Sequence, residues 1–541
     1  MTPETDREAG STGAAGSPAT PDGPEAPQPG SRRMPRWDRG ELIDAPTFTR
    51  RNWFLLLGPA LLSGGSAIGG GEWLMGPAVT ARYGGAIMWL ATLSILGQVV
   101  YNLEISRYTL YTGEPIFTGK FRTHPGPLFW LTIYLVLDFG AIFPYLAANA
   151  ATPLAAVILG HIPGAEDWLL LKGLGFAVFL LAMVPLVFGG KIYSTLKAIM
   201  TVKIVIVLGF LLLLAAFHSS GSTWVEIFSG FVKFGTVPVG GNSVDNVFLS
   251  LARGDGLPTL DLSLISLLAA FAAIAGNGGL TNAPISNYTR DQGWGMGHHV
   301  GAIPSIVGGH DLALSHVGMV FEVNDQTLPR WRRWYRHLLR DQLFIWMPAC
   351  FLGVALPSML SVEFLPRGTQ VTEWAAAGMT ADGVRDHIAT AWGSGWGHAC
   401  WYMTLVCGFL VLGPTMATTA DGFVRRWVDV FWTASPRLRT WAPRDIKRLY
   451  FGVLLFYATF GLVMLSINKP LQLVKIATNI MNYALGFSCL HTLAVNMILL
   501  PKPIRPGWFA RIGLALSGAF FLVLATITTM EALGWFPKPP S

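Results

Sequence analysis

Gly58-Pro59-Ala60-Leu61-Leu62-Ser63-Gly64-Gly65-Ser66-Ala67-Ile68-Gly69-Gly70-Gly71-Glu72-Trp73 lies in an apolar run long enough to enter a bilayer, yet three consecutive glycines and a carboxylate sit near its middle. Each Gly weakens a helix by about 0.8–1.0 kcal/mol relative to Ala. A charged side chain at the bilayer centre costs at least ~2.5–3.5 kcal/mol. The stretch predicts a membrane helix unwound around Gly70 and Gly71, with Glu72 needing a cation, a proton or a polar cavity. A second stretch repeats the pattern: Ala273-Ile274-Ala275-Gly276-Asn277-Gly278-Gly279-Leu280-Thr281-Asn282-Ala283-Pro284. Here the glycines are joined by two amides and a proline. Unwound backbone at membrane depth is tolerated only where protein buries it or it lines a cavity. Freed carbonyls can bind cations there, while half-helix N-termini favour anions. Glycines also serve close helix packing, but breaks in corresponding spans of two halves point to a binding site.

Working outward, the chain of 541 residues is 52% hydrophobic and only 13% charged. Soluble proteins carry roughly 25% charged residues. Apolar stretches of membrane-spanning length fall near 53–80, 86–106, 127–149, 169–189, 195–217, 261–286, 342–361, 397–420, 449–468, 471–500 and 511–530, and the third can extend through the apolar stretch up to Gly160. The fold class is thus an all-α polytopic membrane protein with about 11 transmembrane helices. With the N-terminus in the cytoplasm, most Lys and Arg fall on the cytoplasmic side, as the positive-inside rule requires. The cytoplasmic groups include Arg330 to Arg340 and the run beginning Arg425-Arg426, and Lys172 and Lys475 are read as intramembrane lysines. The C-terminus is then external, and the cell membrane is the expected location. Span six is the first whose orientation opposes span one, which is the signature of an inverted repeat. The expected organisation is a disordered cytoplasmic tail over 1–45, a transporter domain over 46–530 and a short external tail over 531–541. The domain comprises repeats at about 52–217 and 261–500 plus an extra helix at 511–530.

Further motifs fix the family likeness. Gly58-Pro59-Ala60 opens the first span, Tyr111-Thr112-Gly113 ends the second, Asp138-Phe139-Gly140-Ala141 lies in the third, and a Thr-rich stretch runs from Gly413-Pro414-Thr415 to Asp421-Gly422 in the eighth. In order and spacing these resemble the Nramp family of divalent-metal transporters, from about Arg51 to about Pro501. The resemblance implies a LeuT-like 5+5 inverted repeat with helices 1 and 6 broken. It also implies metal transport by alternating access, a metal site at the two breaks, and a place for Asp138 on a proton path.

The departures fall where the chemistry belongs. The family's Asp-Pro-Gly-Asn motif falls on Gly69, Gly70, Gly71 and Glu72, so glycine replaces the metal-binding aspartate and glutamate replaces the asparagine. The family's Met-Pro-His falls near Gly276, Asn277 and Gly278, which removes both thioether and imidazole. Its tenth-span polar residue falls near Asn479. What remains is one carboxylate, amide oxygens and backbone carbonyls, an oxygen-only set that suits Mg²⁺, Ca²⁺, Mn²⁺ or a monovalent cation. The expected site is Glu72 with Asn277 and Asn479, carbonyls near Ser66, Gly69, Ala273 and Gly276, and hinges at Gly70, Gly71, Gly278 and Gly279. The expected function is secondary transport of a cation, foremost a divalent metal of the Mn/Fe/Mg class, with proton coupling possible. The alternative keeps the fold and carries a non-metal small solute, with Glu72 binding a coupling ion.

Other features carry less. Cys350, Cys400, Cys407 and Cys489 lie in apolar stretches without zinc-type spacing. His298, His299, His310 and His316 fit no metal motif. The basic run Arg330 to Arg340, interleaved with Trp331, Trp334 and Tyr335, reads as an amphipathic segment on an anionic membrane surface. No nucleotide-binding motif or hydrolytic triad stands out, which argues against an ATP-driven pump or an enzyme. The expected partners are the lipid bilayer and a small inorganic cation as cargo, with no resident cofactor and no nucleic acid. The oligomeric state is left open.

Overall fold

The computed structural model describes residues 25–49, 59–60, 63–64, 69–188, 192–301, 317–372, 374–442 and 445–535. Among these, nine helices are long and apolar enough to cross a membrane. The sequence predicts eleven. Most of span one lies outside the described residues. The tenth forms as a 30-residue helix, Pro470–Leu499, but its asparagines and lysine dilute its apolar character.

The elements in chain order are α1 (Gly76–Tyr83), α2 (Trp89–Thr112), α3 (Ile116–Arg122), α4 (Pro127–Leu137), α5 (Tyr145–Leu159), α6 (Trp168–Phe188) and α7 (Ile192–His218). After an outer segment holding α8 (Gly221–Gly230) and α9 (Val247–Arg253) come α10 (Ile265–Ile274), α11 (Pro284–Asp291), α12 (Thr327–Asp341) and α13 (Met347–Phe364). The last are α14 (Ala381–Trp392), α15 (Ser394–Ala434), α16 (Ile446–Ile467), α17 (Pro470–Leu499) and α18 (Trp508–Ala532). Proline opens α4, α11 and α17, where its missing N–H leaves no helical bond unmade. Gly113 and Gly160 end α2 and α5 in the left-handed conformation.

The third span takes its longer extent. It runs to Leu159 and is itself interrupted by a 3-10 turn at Asp138–Ile142 between α4 and α5. At that turn Gly140 lies so close to α17 that an added Cβ would sit 2.7 Å from the Ala477 carbonyl oxygen.

The tail is not disordered as far as residue 45. Residues 25–49 form a strap across one end of the bundle. Trp37 is 1% exposed, donates its indole N–H to Glu114 Oε2 at 3.1 Å and lies under the Arg122 guanidinium. Strand β1 (Asp38–Arg39) pairs in parallel with Met319–Val320, two other β-strands (Thr236–Val239 and Ser243–Asn246) forming a hairpin elsewhere. Arg330 bonds Glu41 and the Leu42 carbonyl, Trp334 donates to the Ile43 carbonyl, and Arg439 donates to the Arg33 carbonyl. The strap thus ties together the chain around α3, α12 and the end of α15.

This also corrects the reading of Arg330 to Arg340 as a membrane-surface segment. Trp331 and Trp334 of α12 are buried within the protein, and the Arg107 guanidinium stacks over Trp331 and Tyr335. The apolar face of the amphipathic helix is covered by protein. His299 reaches the Glu41 carbonyl at 2.8 Å, while His310 and His316 lie outside the described residues.

Candidate functional site: two helix breaks closed by one carboxylate

The second predicted break is present; at the first, Gly70 and Gly71 are not unwound but helical, and residues 65–68 lie outside the described residues. Before α1 the chain bends at Gly69 and passes through a π-turn at Gly71–Met75. α10 ends at Ile274, and a 3-10 turn at Gly279–Asn282 precedes α11. Between them Gly276, Gly278 and Gly279 take φ of +103°, +69° and +54°, which side chains with a Cβ adopt only with strain. Space forbids a Cβ as well: at Gly276 it would lie 2.9 Å from Gln98 Oε1, and at Gly279 2.8 Å from Met481 Cγ.

Glu72 joins the two breaks. It is fully buried; one carboxylate oxygen accepts the Gly69 N–H and the other the Gly276 N–H, each at 2.9 Å. Donors that unwinding leaves without helical partners thereby meet a charge at mid-span. Gln98 of α2 performs the same service beside it. Its Oε1 accepts from the N–H of Asn277 and Gly278 and from Asn282 Nδ2, while its Nε2 donates to the Ala275 carbonyl at 2.8 Å.

In front of these groups lies a cavity of about 40 Å³, bounded by Ser63, Gly69 and Gly70 from the first break and by Gly276, Asn277 and Thr281 from the second. Tyr145 of α5, Tyr288 of α11, and Thr415, Thr418, Thr419 and Arg426 of α15 add polar groups to its wall, and Leu146, Ile274, Pro284 and Ile285 add apolar ones. Asn277 donates to Ser63 Oγ, which also accepts the Trp346 indole N–H at 3.1 Å. Asn277 Oδ1 is buried without a hydrogen-bond partner among the described residues. The Glu72 side chain stands behind this wall and not on its surface.

Of the other expected site residues, Ser66 lies outside the described residues. Ala273 lies within α10, one residue before its end, and does not line the cavity. Asn479 faces away, donating to Thr529 Oγ1 of α18 at 3.1 Å. The amide that α17 turns toward the second break is Asn482, one turn on, which donates to the Ala269 carbonyl.

Asp138, at the interruption of span three, is 2% exposed. Its Oδ2 accepts from Arg426 Nε and Nη2 at 2.9 and 2.6 Å and from the Trp427 indole at 2.7 Å, whereas Oδ1 has no partner among the described residues. Arg426 also donates to the Leu280 carbonyl of the second break at 3.1 Å. Arg426 is therefore no loop charge. Helix α15 runs 41 residues, so its basic end is buried. Arg425 is buried too, bonded to Asp421 and Asp291. Lys203 of α7 was likewise missed as an intramembrane cation. It is 1% exposed, donates to the Val411 carbonyl and Thr415 Oγ1, and interacts electrostatically with Glu72. Sequence signals existed for both: Lys203 falls inside a predicted span, and Thr415, Thr418 and Thr419 recur at one-turn spacing.

Two broken helices meeting in mid-bundle, flanked by the third and eighth spans, define the LeuT-like architecture. Among solved structures the chain is similar to the Eremococcus coleocola manganese transporter. A histidine-to-alanine variant of that protein matches at 12% identity and a TM-score of 0.57, over 92% of this chain and 91% of that one. A glutamate-to-alanine variant matches at 13% and 0.56 over the same shares, and its complex with an aromatic bis-isothiourea substituted compound at 13% and 0.51. At these identities the likeness establishes the fold. No family model and no curated protein matches in sequence.

Proposed function

We propose that the protein is a secondary transporter that moves a small inorganic cation by alternating access, with hard divalent ions such as Mg²⁺ and Mn²⁺ the class best suited to its site. The observation that carries this is an ion-sized cavity where the two helix breaks meet, with hydroxyl, amide and carbonyl oxygens in a wall that is, Arg426 apart, otherwise apolar. One water needs roughly 10–15 Å³ of such space. About 40 Å³ therefore suits an ion with a water or two, whereas drug-sized solutes occupy ~300–1,000 Å³. The donors are hydroxyl, amide and carbonyl oxygens, with Asn277 Oδ1 still in need of a positive partner. An anionic cargo fits less well, because Glu72 already occupies the N–H groups of Gly69 and Gly276 that would attract it. The manganese cargo of the similar transporter agrees with this reading.

Asn277, Ser63 and Thr281 would contact the ion, and Glu72 would supply negative potential from behind the wall. Asp138 is the candidate proton acceptor, since its Oδ1 can take a proton without displacing Arg426 from Oδ2. Gly70, Gly71, Gly278 and Gly279 would be the hinges. On this reading the N-terminal strap is cytoplasmic and the protein resides in the cell membrane.

One observation favours the alternative of a non-metal solute. Arg426 contributes to the cavity wall, so an incoming cation meets a guanidinium whose one carboxylate partner among the described residues is Asp138. The deciding experiment is flux into liposomes over Mn²⁺, Fe²⁺, Mg²⁺, Ca²⁺ and protons, for wild type, Glu72→Gln and Asn277→Ala. Saturable uptake of a divalent ion, lost in Glu72→Gln and weakened in Asn277→Ala while both remain folded, is expected. Absence of flux for every cation, or transport unchanged in Glu72→Gln, would remove the cation reading.

A further inference from the structure

A second cavity is lined by Trp427, whose indole bonds Asp138. It measures about 630 Å³ and is cut into the outer face of the bundle between α4, α15 and α16. Its floor is apolar and buried: Ile142, Phe423, Trp427 and Val453 are each under 10% exposed. Its walls include Val136 at 67% and Phe456 at 56% exposure, so the groove opens sideways toward the bilayer. Arg448, Gly452 and Phe456 of α16 follow at four-residue spacing and form one stripe along it. The side chain of Arg448 is 79% exposed, and its nearest carboxylate is Asp445 at 3.9 Å. Lys447 is exposed beside it, and Trp441 stands at the same end, where membrane-interface tryptophans are expected. From Arg448 to Phe456 the helix rises about 12 Å, so a group at Arg448 and a chain reaching Phe456 belong to one elongated molecule.

We propose that this groove binds one anionic phospholipid, its acyl chain lying over Gly452 against Trp427 and Phe423 and its headgroup phosphate meeting Arg448. The charge at the rim decides the ligand class. A groove of similar size, about 530 Å³ between α2 and α18, has no charged residue in its wall, and it supplies the control. The lipid chain touches the tryptophan whose indole N–H holds Asp138 Oδ2, so the site reaches a buried ion pair from the bilayer side. Nothing in this assignment depends on what the protein transports.

The test is native mass spectrometry of the full-length protein in detergent with added phosphatidylglycerol or phosphatidylcholine. Basic residues at an anionic lipid surface contribute about 1 kcal/mol each, which corresponds to roughly fivefold in occupancy. Wild type is expected to retain one phosphatidylglycerol with about that preference over phosphatidylcholine. Arg448→Gln, on an exposed side chain, is expected to abolish the preference. An added Cβ at Gly452 meets no atom within 4 Å, so Gly452→Phe fills the groove with little disturbance and is expected to lose the retained lipid. Leu516→Trp in the other groove is expected to change neither result. No headgroup preference in wild type, undiminished lipid in Gly452→Phe, or equal loss in Leu516→Trp would overturn the proposal.

Discussion

Replacing Arg426 by methionine keeps most of the side-chain volume and removes the charge that faces Asp138. Two of the three hydrogen bonds to Asp138 Oδ2 disappear, leaving the Trp427 indole as the remaining donor to a buried carboxylate. The Leu280 carbonyl loses its Arg426 bond as well. Breaking one side of a buried pair costs about 3–5 kcal/mol, because the other charge is stranded in a low-dielectric interior. The orphaned carbonyl adds about 1 kcal/mol. Asp138→Asn strands the arginine but leaves its bond to Leu280, so it should cost less than Arg426→Met. Asp138→Asn with Arg426→Met removes both charges and should recover several kcal/mol of the summed loss. The assay is a double-mutant cycle on unfolding in detergent or bicelles, with liposome flux measured in parallel. Flux should fall in all three variants, since Asp138 is the candidate proton acceptor. Single variants as stable as wild type, or a double variant as unstable as the sum of the singles, would refute the claim that the two charges hold each other in the membrane.

Other expectations follow from groups already described. Gln98→Leu leaves the donors of Asn277, Gly278 and Asn282 without their acceptor, at about 1–3 kcal/mol for each one left buried; melting should fall markedly and hydrogen exchange around 274–282 should rise. Trp37→Ala removes the buried anchor of the strap at about 3–5 kcal/mol locally, and limited proteolysis should then cut within residues 25–49 well before the membrane helices open. Glu226, between α7 and α10, is pushed upward by burial but more strongly downward by the Gly85 N–H and the Arg367 guanidinium, so its carboxyl lies below the ordinary value of 4.5. A group depressed on folding stabilises above its unfolded value and loses that contribution as pH falls through the folded one. Exchange protection at Gly85 and α8 should therefore hold down to about pH 4.5 and decline below it, and Glu226→Gln should flatten that dependence.

The architecture was legible because its signals are one-dimensional. Apolar length marks spans, and glycine clusters mark where a helix cannot continue. The site was legible in part, for the same reason in reverse. Glu72 could be recognised as a mid-span carboxylate, but its role in bridging Gly69 and Gly276 depends on two segments 204 residues apart in the chain. Asn479 and Asn482 both read as polar positions of one helix; rotation about the axis decides which faces the breaks, and no periodicity in a helix surrounded by protein reveals it. Arg425 and Arg426 looked like loop charges because helix α15 continues past the length of a bilayer span. Trp37 sits among prolines, glycines and arginines, a composition that normally denotes disorder. A single aromatic anchor is too small a signal to change an average.

The strap sets a length as well as a position. Its anchor is Trp37, and by residue 59 the chain is already in the first span, where the Ala60 N–H donates to Asp341 at 2.9 Å. Strap contacts continue past Trp37 to Asp44 and Phe48, so only about ten residues, 49–58, connect the strap to a half-helix that the proposed alternating access would require to swing. On the proposed mechanism, so short a connection limits the stroke. Lengthening it would leave every contact on either side intact and still change how far the first half-helix can travel.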